Sequence, residues 1–348
     1  YRKESGASGP GRRKESTSSP GKCPGGCRLS FCSEESEAPG NWRRPAWFGC
    51  PKGHRLSKNG AGAVILKSLF EEQITFDIQK STGFLSNFEY SESYDYISNH
   101  VEGFEIDKYL SLISNAKKAL SIPVVASINC ITYSNWIAYA KKLQEAGADA
   151  IEINFMVLPF SPDTSSEDIE HIFDDTILAL RRSISIPIIV KVGKYFTDMS
   201  KFMHKLSWSG IKCLTLFNKN IDFDIDTEKE SLKHTSILSN NTALYDTLRW
   251  TALLSGKIRC EVSASSGILT GDDVVKTLLA GAQTTQVVSA LYGNGIEYIK
   301  TMNDYLKEWM SKKEYNTLDD FRGKLRVKES VNSNFTRIQF MKHYAEIE

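Results

Sequence analysis

Several polar side chains stand directly after short apolar runs in this 348-residue chain. They are two lysines and three asparagines: Lys67, Asn129, Asn154, Lys191 and Asn218. A lysine can stabilise negative charge on a ring that gains electrons. An asparagine amide can both donate to and accept from the amide-like edge of a ring. The set therefore predicts a site for an anionic cofactor with a planar, hydrogen-bonding ring.

Small residues follow the last two apolar runs, in the segments Ser265-Ser266-Gly267 and Ser289-Ala290. Such residues let backbone N–H groups approach a phosphate closely, so they predict where the anionic end of the cofactor lies. A plainer interpretation is that the lysines are solvated strand ends and the asparagines are turn residues. Five such residues on successive strand ends favour the binding interpretation.

The elements that position these residues are short runs rich in β-branched residues, which alternate with amphipathic segments. The runs are continuously apolar, as is typical of parallel strands buried on both faces. The predicted strands are Ala63–Leu69, Pro123–Ile128, Ala150–Phe155, Pro187–Val192, Cys213–Phe217, Ile258–Ala264 and Thr285–Leu291. The predicted helices are Ile106–Leu120, Ser134–Gly147, Ser165–Ile184, Thr242–Ser255, Asp272–Ala280 and Ile296–Lys312.

Repeated strand–helix units predict an α/β fold, either a (β/α)₈ TIM barrel or a doubly wound sheet. In a barrel the chemistry lies on the loops after the carboxyl ends of the strands, where the polar residues fall. Only seven strands are visible, whereas a barrel needs eight. The first strand would precede Ala63 and is predicted to be missing or replaced by an anomalous N-terminal tail.

Residues 1–58 differ in composition from the rest. They hold six of the ten prolines and nine of the 23 glycines, and no Val, Ile or Met precedes Val64. A segment of this kind buries too little apolar surface to offset its ordering entropy, so we expect a disordered basic tail. Three hypotheses remain for it: a tail that binds anionic partners, a zinc site, or non-native sequence. The zinc hypothesis uses ligands in a spacing that fits no strong template: Cys23, Cys27, Cys32 and His54. We favour non-native sequence, because the missing strand falls here.

Charge and reactive residues exclude several classes of function. Residues 1–58 carry 12 basic and five acidic residues, and the remainder is acidic with a net charge of −6, which argues against a nucleic-acid partner. No apolar run approaches the length of a membrane span. The six histidines form no cluster and no metal site is expected. Three cysteines in apolar runs, Cys130, Cys213 and Cys260, favour buried thiols in a reducing cytoplasm.

Residues 61–325, about three quarters of the chain, resemble the class 1 dihydroorotate dehydrogenases, and within them a divergent bacterial dihydroorotate dehydrogenase-like group. No single motif decides the resemblance, but the order and spacing of the motifs are specific. The matching motifs are Ile65-Leu66-Lys67-Ser68, Ala150-Ile151-Glu152-Ile153-Asn154, Val190-Lys191-Val192, Leu216-Phe217-Asn218, Ser266-Gly267-Ile268, Thr270-Gly271-Asp272-Asp273, Leu279-Ala280-Gly281-Ala282 and Asp320-Phe321-Arg322-Gly323-Lys324-Leu325.

The resemblance implies an FMN-dependent oxidoreductase of pyrimidine metabolism, which oxidises dihydroorotate or a similar cyclic substrate by hydride transfer to the flavin N5. By resemblance, Lys67, Asn154 and Asn218 act at the catalytic site, and Lys191 offsets charge on the reduced flavin. The implied cofactor-binding residues are Lys67, Ser68, Asn129, Asn154, Lys191, Ser266, Gly267, Val288 and Ser289.

The departure from the family pattern that bears most on catalysis concerns the base. The family carries its catalytic base on the loop after Asn154, and Val157 falls where that base belongs. A valine cannot accept a proton. Cys130 is a weak candidate for a replacement. Two alternatives therefore stay open: a catalytically impaired barrel that still binds a ligand, and a phosphate-binding barrel lyase in which Lys191 forms a Schiff base.

We thus expect three segments: a tail over residues 1–58, an FMN-binding barrel over 59–325 and a C-terminal extension over 326–348. The expected partner is a small-molecule substrate, with no nucleic acid and no membrane. Dimerisation is an expectation from the family alone. The sequence does not indicate whether an iron–sulfur electron-transfer subunit takes part.

Overall fold

The computed structural model describes residues 29–32, 55–74, 106–130, 133–157, 161–219, 223–236 and 238–327. Eleven strands lie in these ranges: β1 (Leu29–Cys32), β2 (Ala63–Ile65), β3 (Leu69–Phe70), β4 (Val124–Asn129), β5 (Ala150–Asn154), β6 (Ile188–Val192), β7 (Cys213–Leu216), β8 (Phe223–Asp226), β9 (Ser231–His234), β10 (Glu261–Ala264) and β11 (Thr284–Val287).

Eight of the strands close into a parallel barrel in the order β1, β2, β4, β5, β6, β7, β10, β11 and back to β1. Each strand pairs in parallel with both of its neighbours, and β5 is buried along its whole length. A closed sheet has no exposed edge, because every strand's backbone groups find partners on both sides. The predicted (β/α)₈ barrel is confirmed, and the doubly wound alternative is wrong.

The first strand is not missing, and its position agrees with the alternative expectation that the N-terminal tail replaces it. Strand β1 lies inside the segment predicted to be a disordered tail. Leu29 pairs with Thr285 of β11, and Ser30 pairs with Ala63 of β2. Its four residues, Leu-Ser-Phe-Cys, form too short an apolar run to be recognised among prolines and glycines. The rest of the predicted tail falls outside the described residues up to residue 54, as does the predicted C-terminal extension beyond residue 327.

Helices follow the strands in regular alternation. They are α1 (106–119), α2 (Tyr133–Glu145), α3 (Ser166–Ser183), α4 (Met199–Ser207), α5 (Asn241–Leu254), α6 (Gly271–Ala280), α7 (Ser289–Asn294) and α8 (Tyr298–Lys312). The predicted capping box of α3 is confirmed, since the Ser165 side chain accepts from the Asp168 N–H and Asp168 accepts from the Ser165 N–H. Gly281 ends α6 in a left-handed conformation, with φ of 111°.

The predicted elements differ from the observed ones mainly at their ends and in small additions. The run predicted as strand Ala63–Leu69 ends at Ile65, and Leu69 belongs instead to the two-residue β3, which pairs with β4 outside the barrel circuit. Strands β8 and β9 form an antiparallel hairpin that was not predicted. Its alternating Asp and apolar residues, Phe223 to Asp226, lack the continuous apolar run used to recognise the barrel strands.

An aromatic cluster anchors helices α3 and α4 to the barrel. Phe173 of α3 has no solvent exposure, stacks on Phe155 with ring centroids 4.1 Å apart, and meets Phe202 of α4 edge-on at 5.2 Å. Phe196 contacts both Phe173 and Phe202. Because Phe155 directly follows β5, the cluster fixes the point at which the chain leaves this strand.

Replacing Phe173 by Ala should therefore lower the free energy of unfolding by about 3–5 kcal/mol, through lost transfer energy and a residual cavity. Urea unfolding followed by circular dichroism measures this. The matched control is Ile172→Ala. Ile172 is the neighbouring residue and is 47% exposed, so its truncation should cost less than about 0.5 kcal/mol. Equal losses in the two variants would contradict the assignment of the cluster as an anchor.

Candidate functional site

The carboxyl ends of the barrel strands bring together most of the predicted polar residues. The Asn218 amide donates to the Asn154 side-chain oxygen at 2.8 Å, and the Asn154 amide donates to the Ser68 hydroxyl at 3.3 Å. The Ser68 and Ser127 hydroxyls are 2.7 Å apart. All four residues are buried. The structure therefore joins Ser68, Asn154 and Asn218, which were predicted separately, into one hydrogen-bonded chain.

The chain continues to a carboxylate that sequence reasoning did not select. The Ser127 hydroxyl lies 3.5 Å from Glu152 Oε1. The connected side chains from Asn218 to Ser127 thus reach Glu152. The sequence did contain a signal for Glu152, because it is an acidic residue inside the apolar run Ala-Ile-Glu-Ile-Asn. A charged residue is rarely buried without a partner.

Lys191 lies beside the same carboxylate. Its Nζ is 3.7 Å from Glu152 Oε1, and the side chains are 4% and 0% exposed, respectively. The other carboxylate oxygen accepts from Gln286 Nε2 at 2.9 Å and from the Thr215 hydroxyl at 3.3 Å. The result is a buried ion pair whose anion is held by neutral donors from β7 and β11.

Lys67 and Asn129 lie on the neighbouring side of the mouth. The Lys67 side chain is half-buried, and its Nζ is 3.5 Å from the Gln73 side-chain oxygen. The Tyr109 hydroxyl of α1 donates to the Lys67 carbonyl at 2.8 Å and accepts from the Ser127 N–H at 3.1 Å. Tyr109 therefore ties the backbone of the Lys67 segment to β4. Asn129 is buried at the end of β4, beside Phe70 of β3.

A cleft of about 420 Å³, part of it open to solvent, lies over the ends of β6, β7, β10 and β11. Six of its lining residues were predicted or belong to predicted segments: Lys191, Ser265, Ser266, Gly267, Val288 and Ser289. No site role was predicted for the other five, although Phe217 and Ile268 stand in the matching motifs and Gln286 in a predicted strand: Phe217, Lys219, Ser239, Ile268 and Gln286. Lys219 and Ser239 bracket the unpredicted hairpin, so no pattern placed them near the site.

The turn after β10 is shaped for close approach of the backbone. Ser266 and Gly267 both have positive φ, at 78° and 76°. A Cβ on Gly267 would lie 2.2 Å from the backbone nitrogen of Leu244, at the start of α5. Only glycine fits there. The Ser266 hydroxyl donates to the Phe217 carbonyl at 2.9 Å, which fixes the turn against the end of β7.

The residues at the predicted position of the base do not supply one. Val157 is half-buried and packs against the main core, and Met156 before it is 44% exposed. Cys130 is buried, and this burial, together with the negative charges of Glu71 and Glu72, raises the pKa of its thiol far above the ordinary value. A thiol of that kind stays protonated near neutral pH, so Cys130 is a poor proton acceptor.

Comparison with known proteins agrees with the barrel fold. Residues 102–310, more than half of the chain, match the family model described as dihydroorotate dehydrogenase. The chain belongs to the dihydroorotate dehydrogenase family. The matched range contains β4 to β7, β10 and β11, and hence Glu152, Asn154, Lys191 and Asn218.

Relatives from three organisms illustrate how distant the similarity is. A dihydroorotate dehydrogenase (fumarate) of Lachancea kluyveri is 26% identical over 246 residues, covering 64% of the chain and 75% of the relative. A putative dihydroorotate dehydrogenase A (fumarate) of Aeropyrum pernix is 25% identical over 217 residues, covering 61% and 70%. The catalytic subunit of dihydroorotate dehydrogenase B (NAD(+)) of Thermoplasma acidophilum is 22% identical over 276 residues, covering 77% and 88%.

The site fits an anionic, hydrogen-bonding cofactor of the kind that this family implies. The Gln286 side-chain oxygen is buried at the cleft and accepts no hydrogen bond from any described residue. A buried acceptor needs a donor, and a ligand hydroxyl or ring N–H can supply it. Ser266 and Gly267 of the turn after β10 line the same cleft, where small residues leave room for a phosphate.

Two further properties concern the described residues only. None of their helices combines the length and apolar character needed to cross a bilayer. Within the same ranges, no three His, Cys, Asp or Glu side chains are grouped so as to hold a metal ion.

The variant Gly267→Ala tests whether the turn after β10 requires glycine at this position. The added methyl group meets the backbone of α5 and the residue keeps a positive φ, so we expect α5 to shift and the melting temperature to fall by several degrees, as for a loss of about 1–3 kcal/mol. Differential scanning calorimetry measures the change. Gly193→Ala is the matched control, since a Cβ there meets nothing within 4 Å. A Gly267→Ala variant as stable as this control would show that the close approach is not required.

Proposed function

We propose that the chain is an FMN-dependent oxidoreductase acting on a CH–CH group, with dihydroorotate or a similar cyclic compound as substrate. Bound FMN would supply the hydride acceptor, its N5 atom. The observation that carries the proposal is the cleft in which the Lys191 side chain, the Gln286 oxygen and the Ser266-Gly267 turn converge. These groups match the charge, hydrogen bonds and phosphate of a flavin mononucleotide.

The proposed roles follow from position. Lys191 offsets negative charge on the reduced ring, because its ammonium group borders the cleft. Ser266, Gly267, Val288 and Ser289 hold the phosphate, with Lys219 as a further cation at the cleft. The Ser289 hydroxyl already accepts from the Ser239 N–H at 2.8 Å, which orders that side of the cleft. Asn154 and Asn218 hold the substrate or the flavin edge, and Lys67, Ser68 and Asn129 complete the proposed set.

We further infer that the chain falls among the class 1 enzymes, in their divergent bacterial group, acts in the cytoplasm in pyrimidine metabolism, and forms a homodimer. Motif order supports the subgroup. The free thiols Cys130, Cys213 and Cys260 support a reducing compartment. Family resemblance alone supports the homodimer.

Val157 favours a second candidate function, a catalytically impaired barrel that binds a ligand without oxidising it. The lyase alternative has weaker support. A Schiff base requires a neutral lysine, whereas a buried carboxylate 3.7 Å away favours the ammonium form of Lys191. Trapping of a carbonyl substrate on Lys191 by borohydride would restore the lyase candidate.

The first experiment is a visible absorption spectrum of the purified full chain, followed by titration of the flavin-free chain with FMN and with riboflavin. We expect a flavin spectrum, and binding of FMN at least roughly tenfold tighter than that of riboflavin, because riboflavin lacks the phosphate that the cleft would hold. Failure to bind either flavin would sink the proposal. Equal affinity for both would refute the assigned phosphate site.

Val157→Cys tests which of the two candidate functions applies. Introducing a thiol at the position of the base should speed flavin reduction by dihydroorotate by about 10²-fold, the lower end of what general-base catalysis contributes. Anaerobic stopped-flow mixing measures the rate. Met156→Cys is the control, because it places the same thiol one residue away on an exposed side chain. A wild-type chain that already reduces its flavin rapidly would exclude the impaired barrel, and a slow Val157→Cys variant would point to another substrate.

A further inference from the structure

Glu152 is a carboxylate without solvent exposure in the middle of β5. Burying an isolated charge costs several kcal/mol, so its presence demands compensation. The compensation comes from four residues on other barrel strands: Ser127 on β4, Lys191 on β6, Thr215 on β7 and Gln286 on β11. Because these partners stand on separate strands of a closed barrel, their positions relative to Glu152 are rigid.

The register shows where the carboxylate lies relative to the site. Asn154 pairs with Lys191 across β5 and β6, and Glu152 stands two residues earlier on β5. Residues two apart in a strand share a face and are roughly 6.6 Å apart along it. Glu152 therefore faces the barrel interior one step below Asn154, behind Lys191 and Gln286, which line the cleft.

We propose that Glu152 is a positioning residue that holds Lys191 as an extended ammonium ion at the floor of the cleft. This inference rests on the proposed function and assigns a role to a residue that does not itself touch the flavin. A lysine that is 4% exposed loses its proton readily unless an anion lies nearby. Glu152 supplies that anion, and Lys191 presents the retained charge to the ring.

The hydrogen bonds on Glu152 explain why its own charge does not repel a reduced, anionic ring. Gln286 and Thr215 donate to one oxygen, while Ser127 and Lys191 face the other. Four donors surround the carboxylate and offset part of its negative charge. The ammonium group is the charged partner on the cleft side.

The test compares Glu152→Gln, Lys191→Met and the double variant, each reconstituted with FMN. Glu152→Gln keeps the shape but removes the anion. We expect it to weaken FMN binding roughly tenfold and to make the flavin reduction potential more negative, as Lys191→Met does. The double variant should match Glu152→Gln, because Lys191 is already neutral in that variant and its removal takes away no further charge.

Two further variants distinguish a specific effect on Lys191 from a general structural effect. Glu261→Gln makes the same chemical change in a half-exposed pair with Lys212, whose charged atoms are 3.3 Å apart, and it should leave the potential unchanged. Thr215→Val removes one donor to Glu152 and should shift the potential in the same direction as Glu152→Gln, but less. If Glu152→Gln does not fold, Thr215→Val still tests whether the environment of Glu152 affects the flavin potential. An unchanged potential in Glu152→Gln, or effects of Glu152→Gln and Lys191→Met that add in the double variant, would overturn the proposal.

A flavin-free measurement separates this inference from the proposed function. In the chain labelled with ¹³C at the lysine ε carbons, the Lys191 signal is assigned by its loss in Lys191→Met. At pH 8 it should have the shift of an ammonium form in the wild type and move towards the neutral form in Glu152→Gln. If the wild type binds no flavin, the proposed function fails, and the lysine signal still decides whether Glu152 holds Lys191 charged. No movement of the signal would overturn the positioning role.

Discussion

The polar interior of the barrel is organised around one buried carboxylate. Glu152 accepts from neutral donors on three strands and faces the Lys191 ammonium on a fourth. An anion that is cut off from water attracts every nearby donor, so the orientations of the surrounding groups are not independent. The chain from Asn218 through Asn154, Ser68 and Ser127 ends on this anion.

Closure of the sheet makes this organisation possible. Eight parallel strands bring all their carboxyl ends to one rim, so residues far apart in sequence, such as Ser68 and Gln286, meet inside one barrel. The pairing of β1 with β11 and β2 completes the circuit. Without it, β2 and β11 would each present a row of unpaired backbone groups, and the polar interior would open on that side.

Much of the fold could be predicted from continuous apolar runs and helical periodicity. The barrel strands from β4 onward were predicted to within a few residues. Strand β1 was missed because four residues among prolines and glycines carry no usable pattern, and one of its two partner strands, β11, is about 256 residues away. The β8–β9 hairpin was missed because its residues alternate, with Ile225 and Leu232 exposed. Strand formation there follows from a local turn and not from burial.

The sequence indicated which residues lie at the carboxyl ends of the strands, but not which residues within the strands contact them. Asn154, Lys191 and Asn218 follow or end apolar runs, and the structure places them at the carboxyl ends of β5, β6 and β7. Glu152 and Gln286 lie inside runs, and only the closed barrel shows that they face each other across its interior at 2.9 Å. In a strand, the residue two positions from a predicted ligand-binding residue points to the same face of the sheet. Polar residues at that spacing, such as Glu152 before Asn154, can therefore be selected from sequence as buried partners.

The residues proposed to bind the cofactor and the position assigned to the base lie in different parts of the barrel mouth. The groups that would hold the cofactor stand on rigid strands or on turns fixed by several hydrogen bonds, and they constrain one another through Glu152. The position of the base lies outside that network, after β5 has ended, where Val157 packs against the core with no polar partner required. A change there costs the barrel little stability, whereas a change at Glu152 or Lys191 leaves a buried charge unpaired. On the proposed roles, the loop after β5 can change with a new substrate while the groups assigned to the cofactor stay in place, which would explain Val157 at the position that the resemblance assigns to the base.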